Sequence, residues 1–142
     1  MDNTLTREEF NAIHTELFCF SDTWADLWML LKLTNEKPSR LLRLMYTDEY
    51  KGNLVLNDDI ENLEHVIIIN HKARKLSQER HQRYPNDHYI FQSHSNRKKY
   101  VSYPVTLVAF NNSLKRAAQR VTDKKVSSKC ARTHYLSVTL LT

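Results

Sequence analysis

Glycine is almost missing from this sequence. Gly52 is the one glycine among 142 residues, which argues against a glycine-rich phosphate-binding loop and against an all-β fold with many tight turns. Cysteine is also scarce: Cys19 and Cys130 are too few for a disulfide framework and are expected to be reduced thiols. No apolar run approaches the roughly 20 residues of a membrane helix, and the first residues do not form a signal peptide. We therefore expect a cytoplasmic protein that does not enter a membrane.

The spacing of metal ligands is absent as well. Of the seven histidines, His71, His81 and His88 lie near one another, but no pair has the i, i+4 spacing with a carboxylate that an H-E-x-x-H site requires. One acidic cluster lacks the order of a calcium-binding loop and is expected to be an exposed turn: Asp58, Asp59, Glu61 and Glu64. We expect neither a metal nor a cofactor.

Negative charge is nearly absent from the last third of the chain. From Phe91 onward there are ten Lys or Arg residues and one acidic residue, Asp123, which gives this part a charge of +9. The whole chain carries +5, so the first ninety residues carry −4. A basic segment on an otherwise slightly acidic chain suits a surface that binds nucleic acid. The alternative is a charged surface that only keeps the protein in solution.

Helical patterns dominate the first part of the sequence. Thr6 and Glu9 have the spacing of a capping box, which predicts a helix from there to about Phe20. Asp22 or Thr23 is predicted to cap a second helix, whose apolar residues are numerous enough for it to be largely buried.

A strand pattern follows near residue 53. Residues 53–56 and 65–69 are apolar and rich in β-branched side chains, so we expect an antiparallel hairpin with a polar turn from Asn57 to Glu64. The segment 89–91 is predicted to fill an apolar space. Three further helices are predicted: Asn70 to about Tyr84, Thr106 to about Val121, and Ser127 or Ser128 to Leu141. Together these elements predict one α+β domain, mainly helical, over residues 1–142.

The stretch from Thr34 to Asp48 reads TNEKPSRLLRLMYTD. Pro38 fits the first turn of a helix, and the apolar residues behind it recur at helical spacing: Leu41, Leu42, Leu44 and Met45. By this pattern alone the stretch is a short amphipathic helix that ends near Asp48.

The same stretch resembles the first active-site box of the tyrosine recombinases, T-G-L-R-x-S-E-L-L-x-L-x-W-x-D. Tyr46 replaces the tryptophan of this box. Six other positions match it: Thr34, Ser39, Leu41, Leu42, Leu44 and Asp48. Residues 103–106 (YPVT) resemble the start of a later helix in that family, and residues 128–134 (SKCARTH) resemble its second box, T-H-x-L-R-[KH]-T. The resemblance implies the catalytic-domain fold of this family over nearly the whole chain.

The resemblance also implies which residues occupy the catalytic positions. In this family two arginines and a histidine hold the scissile phosphate, a lysine in the hairpin turn is the general acid, and a tyrosine attacks phosphorus. Here Lys37 takes the place of the first arginine, Lys129 that of the histidine, and Arg132 is retained as the second arginine. The turn 57–64 contains no lysine. The family's third box, its nucleophile helix and its N-terminal DNA-clamping domain have no counterpart among residues 1–142, and Tyr135 is expected to be a core aromatic.

These residues predict a catalytically inactive relative that binds double-stranded DNA and regulates transcription or recombination on a mobile element. The candidate DNA contacts combine the box positions with the basic segment: Lys37, Arg40, Arg97, Lys98, Lys99, Lys115, Arg116, Lys124, Lys125, Lys129 and Arg132. One alternative is a protein-interaction module that docks on a full-length recombinase or on another copy of itself. A third hypothesis is residual strand cleavage with Lys37 and Lys129 as substitutes for the missing groups.

Overall fold

The computed structural model of the chain describes residues 4–58, 63–94 and 101–131. These residues form five helices and one small antiparallel sheet: α1 (Arg7–Phe20), α2 (Asp22–Thr34), α3 (Pro38–Arg43), β1 (Glu49–Tyr50), β2 (Asn53–Asp58), β3 (Leu63–Ile67), α4 (His71–Arg83) and α5 (Leu107–Gln119). One turn of 3-10 helix covers Tyr46–Asp48, and residues 128–131 are helical. The α+β, mainly helical fold is therefore confirmed. Within these ranges, no helix is long and apolar enough to span a membrane.

The helix starts follow the predicted caps in most cases. Thr6 and Glu9 form the expected capping box, with the Glu9 amide donating to Thr6 Oγ1 at 3.1 Å and the Thr6 amide donating to Glu9 Oε1 at 3.0 Å. Asn70 and Thr106 cap α4 and α5 as predicted, each with its side-chain oxygen accepting from the backbone amide three residues later. The predicted cap of α2 was wrong by one or two residues.

Ser21 joins α1 to α2. Its backbone amide donates to the Leu17 carbonyl oxygen at 2.9 Å, and its hydroxyl accepts from the Thr23 amide at 3.2 Å. One residue thus ends α1 and caps α2, because its backbone amide satisfies an orphan carbonyl of α1 and its hydroxyl an orphan amide of α2.

The predicted length of the third helix was wrong. α3 ends at Arg43, and Leu44 and Met45 are extended. The Ile90 amide donates to the Leu44 carbonyl oxygen at 3.1 Å, and the Tyr46 amide donates to the His88 carbonyl oxygen at 2.9 Å. Pairing with the segment around Tyr89 therefore replaces the next helical turn. Leu44 is buried in this extended conformation too, so the apolar pattern alone could not distinguish the two.

The sheet has three strands in the order β1-β2-β3, one more than the hairpin that the sequence predicts. The second strand was predicted at residues 65–69, whereas β3 covers Leu63–Ile67. Ile69 is buried although it lies beyond the end of the strand. The connection from β2 to β3 is also shorter than the predicted turn 57–64. Leu54 pairs with Ile67 and Leu56 with His65, and this register points all four side chains to one face of the sheet.

The core lies where α1, α2 and α5 meet, with the segment 89–91 packed into it. Trp28 is fully buried, its indole ring stacks on Phe10 at a centroid distance of 4.9 Å, and its Nε1 donates to the Phe10 carbonyl oxygen at 3.2 Å. Ile90 and Phe91 are completely buried, which confirms the prediction that this segment fills an apolar space. α3 packs against both α2 and α5, so the core fixes the position of the first-box residues.

An ion pair connects the start of the chain to the segment after α5. The Lys124 ammonium donates to Glu9 Oε1 at 2.7 Å and to the Thr4 carbonyl oxygen at 2.9 Å. Hydrogen bonds from Lys124, Thr6 and Thr122 lower the pKa of Glu9 from 4.5 to about 2. Lys124 was predicted as a DNA contact, and this geometry gives its ammonium a role inside the fold.

Acid should weaken the protein through Glu9. Because its folded pKa lies below its unfolded pKa, the stabilisation is complete above about pH 5 and is lost as the pH falls toward 2. We expect the free energy of unfolding to fall by about 1 kcal/mol less between pH 6 and pH 3 in Glu9→Gln than in the wild type, since water screens this partly exposed pair. Urea unfolding at the two pH values measures the difference. Equal losses in both proteins would contradict the assignment to Glu9.

Candidate nucleic-acid interface

The first-box residues lie in the connection between α2 and α3. Asn35 ends α2 in the left-handed conformation with φ of 55°, which asparagine tolerates better than most residues. Lys37 then takes the N-cap position, and Pro38 occupies the first helical turn with its fixed φ. The side chain of Lys37 is exposed to solvent, as a phosphate contact must be.

Glu36 is the centre of the hydrogen bonds in this connection. Its Oε1 accepts from Arg40 Nη1 at 3.0 Å and from the Lys37 amide at 3.2 Å, and its Oε2 lies 2.8 Å from His65 Nε2 on β3. Burial would raise the pKa of Glu36, but the hydrogen bonds from His65 and Arg40 outweigh burial and hold it below its ordinary value. The carboxylate therefore stays charged beside Lys37.

The Glu36 contacts change the role expected for Arg40. Arg40 was predicted as a DNA contact, and its half-exposed guanidinium is already paired with a carboxylate that is largely buried. Neither Glu36 nor His65 was among the predicted site residues. The i, i+4 spacing of Glu36 and Arg40 was a usable signal for their pair, whereas the His65 contact depends on strand register and could not be read from spacing.

A second group of predicted contacts lies along α5 and the segment that follows it. Lys115, Lys125 and Lys129 line one open groove of about 730 Å³, and all three side chains are exposed. We call this the α5 groove. Arg116 points elsewhere, because its guanidinium lies over the Phe20 ring at 5.0 Å from the centroid. Lys124 also lines this groove, although its ammonium is paired with Glu9. Four of the predicted cations are thus brought together, and Arg116 is not one of them.

Four predicted contacts lie outside the described residues: Arg97, Lys98, Lys99 and Arg132. That Lys37 and Arg132 lie together around one phosphate, as the resemblance implies, therefore stays a prediction. Within the described ranges, no three His, Cys, Asp or Glu side chains are grouped closely enough to hold a metal ion.

Solved structures with the same arrangement of elements are site-specific recombinases. The crystal structure of XerA recombinase superposes with a TM-score of 0.74 over 99% of this chain, at 15% identity. Lambda integrase (75–356), crystallised as a dimer bound to a COC′ core site, gives 0.74 over 94% at 14% identity. XerH, bound to its difH substrate before cleavage, gives 0.67 over 99% at 13% identity. The chain has the fold of the tyrosine recombinases.

The chain spans half or less of each of these proteins: 50% of XerA, 50% of the lambda integrase fragment and 43% of XerH. No protein-family model matches the sequence, and no curated protein sequence matches it. The likeness to these recombinases is thus one of fold, at 13–15% sequence identity. This fold confirms the resemblance seen in the first box.

Proposed function

We propose that this chain binds duplex DNA through the α5 groove and does not cut it. The cluster of Lys115, Lys125 and Lys129 in one groove on a recombinase fold carries the proposal, because converging ammonium groups are what a phosphate backbone requires. Two of the similar structures, lambda integrase and XerH, were solved on DNA sites, which supports the same class of ligand here.

The proposal that catalysis is absent rests on the first-box residues. Lys37 keeps a positive charge but lacks the planar fork with which arginine holds two phosphate oxygens. The Glu36 carboxylate is hydrogen-bonded to the Lys37 backbone amide, where its charge repels a phosphate. The turn 57–64 has no lysine to act as a general acid, and Lys129 replaces the histidine. A scissile phosphate would therefore be held weakly and not protonated on its leaving oxygen.

Fluorescence anisotropy with a mixed-sequence duplex tests the binding. We expect saturable binding at low salt and a loss of affinity on the order of 10-fold in Lys125→Gln/Lys129→Gln, because two phosphate contacts are removed. Lys51→Asn is a matched control: it removes a cation from the β1–β2 turn, which does not line the groove. No binding at low salt would refute the proposal, as would an equal loss in the control.

No covalent DNA adduct is expected. A nicked suicide duplex traps the phosphotyrosyl intermediate of an active recombinase, so the absence of a denaturant-resistant band would agree with an inactive site. A band that disappears in Tyr135→Phe would show that residual cleavage, and not silent binding, is the activity. A full-length active recombinase run on the same duplex is the positive control.

We propose that this DNA binding regulates transcription or recombination on a mobile element.

Docking on a full-length recombinase or on a second copy is the second candidate function. It is favoured by two apolar side chains at the sheet edge, Val66 (51% exposed) and Ile68 (75% exposed). A gel shift with and without a full-length recombinase separates the two. Binding of DNA by the chain alone supports direct regulation, whereas a shift that requires the recombinase supports docking.

A further inference from the structure

A second open groove lies between α2 and the first half of α4, with α1 at one end. Its volume is about 840 Å³, within the usual size range of small-molecule sites. It shares no lining residue with the α5 groove. Nothing proposed above for DNA binding uses it, so we name it separately as the α4 groove.

Four cations line the α4 groove, and Lys75 is paired with Glu79. The other three come from three different helices: Arg7 of α1, Lys32 of α2 and Lys72 of α4. Burial of Lys32 and the nearby charges of Arg7 and Lys72 lower the pKa of Lys32 below its ordinary value. In the described part of the chain, no carboxylate forms an ion pair with any of the three. The folded protein therefore keeps three like charges close together, an arrangement that a bound anion would relieve.

The acidic side chains of the α4 groove do not neutralise this cluster. Asp26 is held by Arg80 Nη1 at 2.9 Å and by Arg83 Nη2 at 2.8 Å. Glu79 lies 4.0 Å from Lys75, one turn along α4. Both carboxylates thus have cations of their own, and the residues that line the groove include four Lys or Arg against two acidic residues.

The surface of the α4 groove beside these cations is apolar. Met29 and Leu33 lie one turn apart on α2, and Leu76 faces them from α4. All three are only partly buried by the rest of the protein. A ligand that fits here has several negative charges at one end and a flat or apolar body at the other.

We propose that the α4 groove binds a nucleoside polyphosphate. Its phosphates lie against Arg7, Lys32 and Lys72, which supply a charge opposite to that of a triphosphate. Its base covers Met29, Leu33 and Leu76 and removes their exposed surface from water. Because the α4 groove and the α5 groove share no lining residue, nucleotide binding can be tested independently of DNA binding.

Titration calorimetry with ATP at low salt tests the α4 groove. We expect saturable one-site binding that weakens at least 10-fold in Lys32→Met/Lys72→Gln, and also in Arg7→Gln, whose exposed side chain can be replaced without disturbing the core. The matched control Lys51→Asn should bind ATP as the wild type does, within about twofold. Absence of ATP binding, or an equal loss in the control, would overturn the site.

Two further ligands separate the alternatives. Inorganic triphosphate should bind at least 10-fold more weakly than ATP, and equal affinity would overturn the nucleoside part of the proposal. A short duplex should bind the wild type and Lys32→Met/Lys72→Gln with similar affinity. If duplex affinity falls as far as ATP affinity in that variant, the α4 groove belongs to the DNA surface and the nucleotide proposal is wrong.

Discussion

Replacement of Arg80 by alanine is expected to lower the free energy of unfolding by about 3–5 kcal/mol, the range found when one partner of a buried ion pair is removed. The Arg80 side chain has no exposed surface. Its Nε donates to the Ile90 carbonyl oxygen at 2.9 Å, its Nη1 donates to Asp26 at 2.9 Å, and its Cζ lies over the Phe91 ring at 5.2 Å from the centroid. One side chain thus links α2, α4 and the apolar segment 89–91.

The cost of losing Arg80 has two sources. The Ile90 carbonyl group is in a fully buried residue and would lose the donor that Arg80 supplies, which carries a desolvation penalty. Asp26 is 15% exposed in its side chain, and Arg83 would be its one remaining ion-pair partner among the described residues. Arg80→Lys should recover little of the loss, because a single ammonium cannot reproduce the directed donors of the guanidinium.

Arg83→Ala is the matched control for Arg80. It removes the same type of side chain one turn away, which shares Asp26 with Arg80 and has Asp22 as a second partner. Its side chain is 40% exposed, so we expect a loss of about 1 kcal/mol or less. Chemical unfolding of both variants measures the two values. Similar losses in the two would show that burial of Arg80 does not determine its contribution.

The affinity for duplex DNA should fall steeply with salt. The segment from Phe91 onward carries +9, and about four to six phosphate contacts would give a slope of log K against log salt of roughly −4 to −5. Between 50 and 200 mM salt this slope lowers the affinity on the order of several hundred-fold. Anisotropy titrations over that range measure it.

Two variants test the origin of the slope. Lys125→Gln should make it shallower by about one, because one phosphate contact is lost, and should weaken all duplex sequences alike. Asp59→Lys, which lies outside the described residues, should tighten binding because it removes a negative charge from the hairpin turn. A slope near zero would contradict an interface built on phosphates. Weak DNA binding that responds to neither variant would favour the docking hypothesis.

Local patterns predicted most of the helices, because their caps depend on neighbours in sequence. Thr6 with Glu9, Asn70 and Thr106 all cap helices in the predicted way, and each needs only a residue two or three positions away. The first box was recognisable for a related reason, since its matches keep their order along one short stretch.

Features that depend on distant residues were missed. The end of α3 is set by two hydrogen bonds to a segment more than forty residues later, one accepted by the Leu44 carbonyl oxygen and one donated by the Tyr46 amide. Strand β1 exists because it pairs with β2. Arg80 was read only as part of a basic helix, although its partners lie on α2 and at Ile90. The Glu36–His65 contact likewise needs the sheet register. No sequence pattern within one element contains this information.

The two-residue turn between β1 and β2, which is distinct from the turn that contains Asp59, restricts which substitutions the chain tolerates. Lys51 and Gly52 have φ of 51° and 85°, as a two-residue turn that matches strand twist requires. A Cβ on Gly52 would lie 3.0 Å from Arg74 Nη2, the group that donates to the Gly52 carbonyl oxygen. A full mutational scan should therefore find position 52 nearly closed to other residues despite its place at the surface. Position 51 next to it should accept asparagine at least as well as lysine. Two adjacent positions of one turn would therefore differ sharply in the substitutions that evolution can accept.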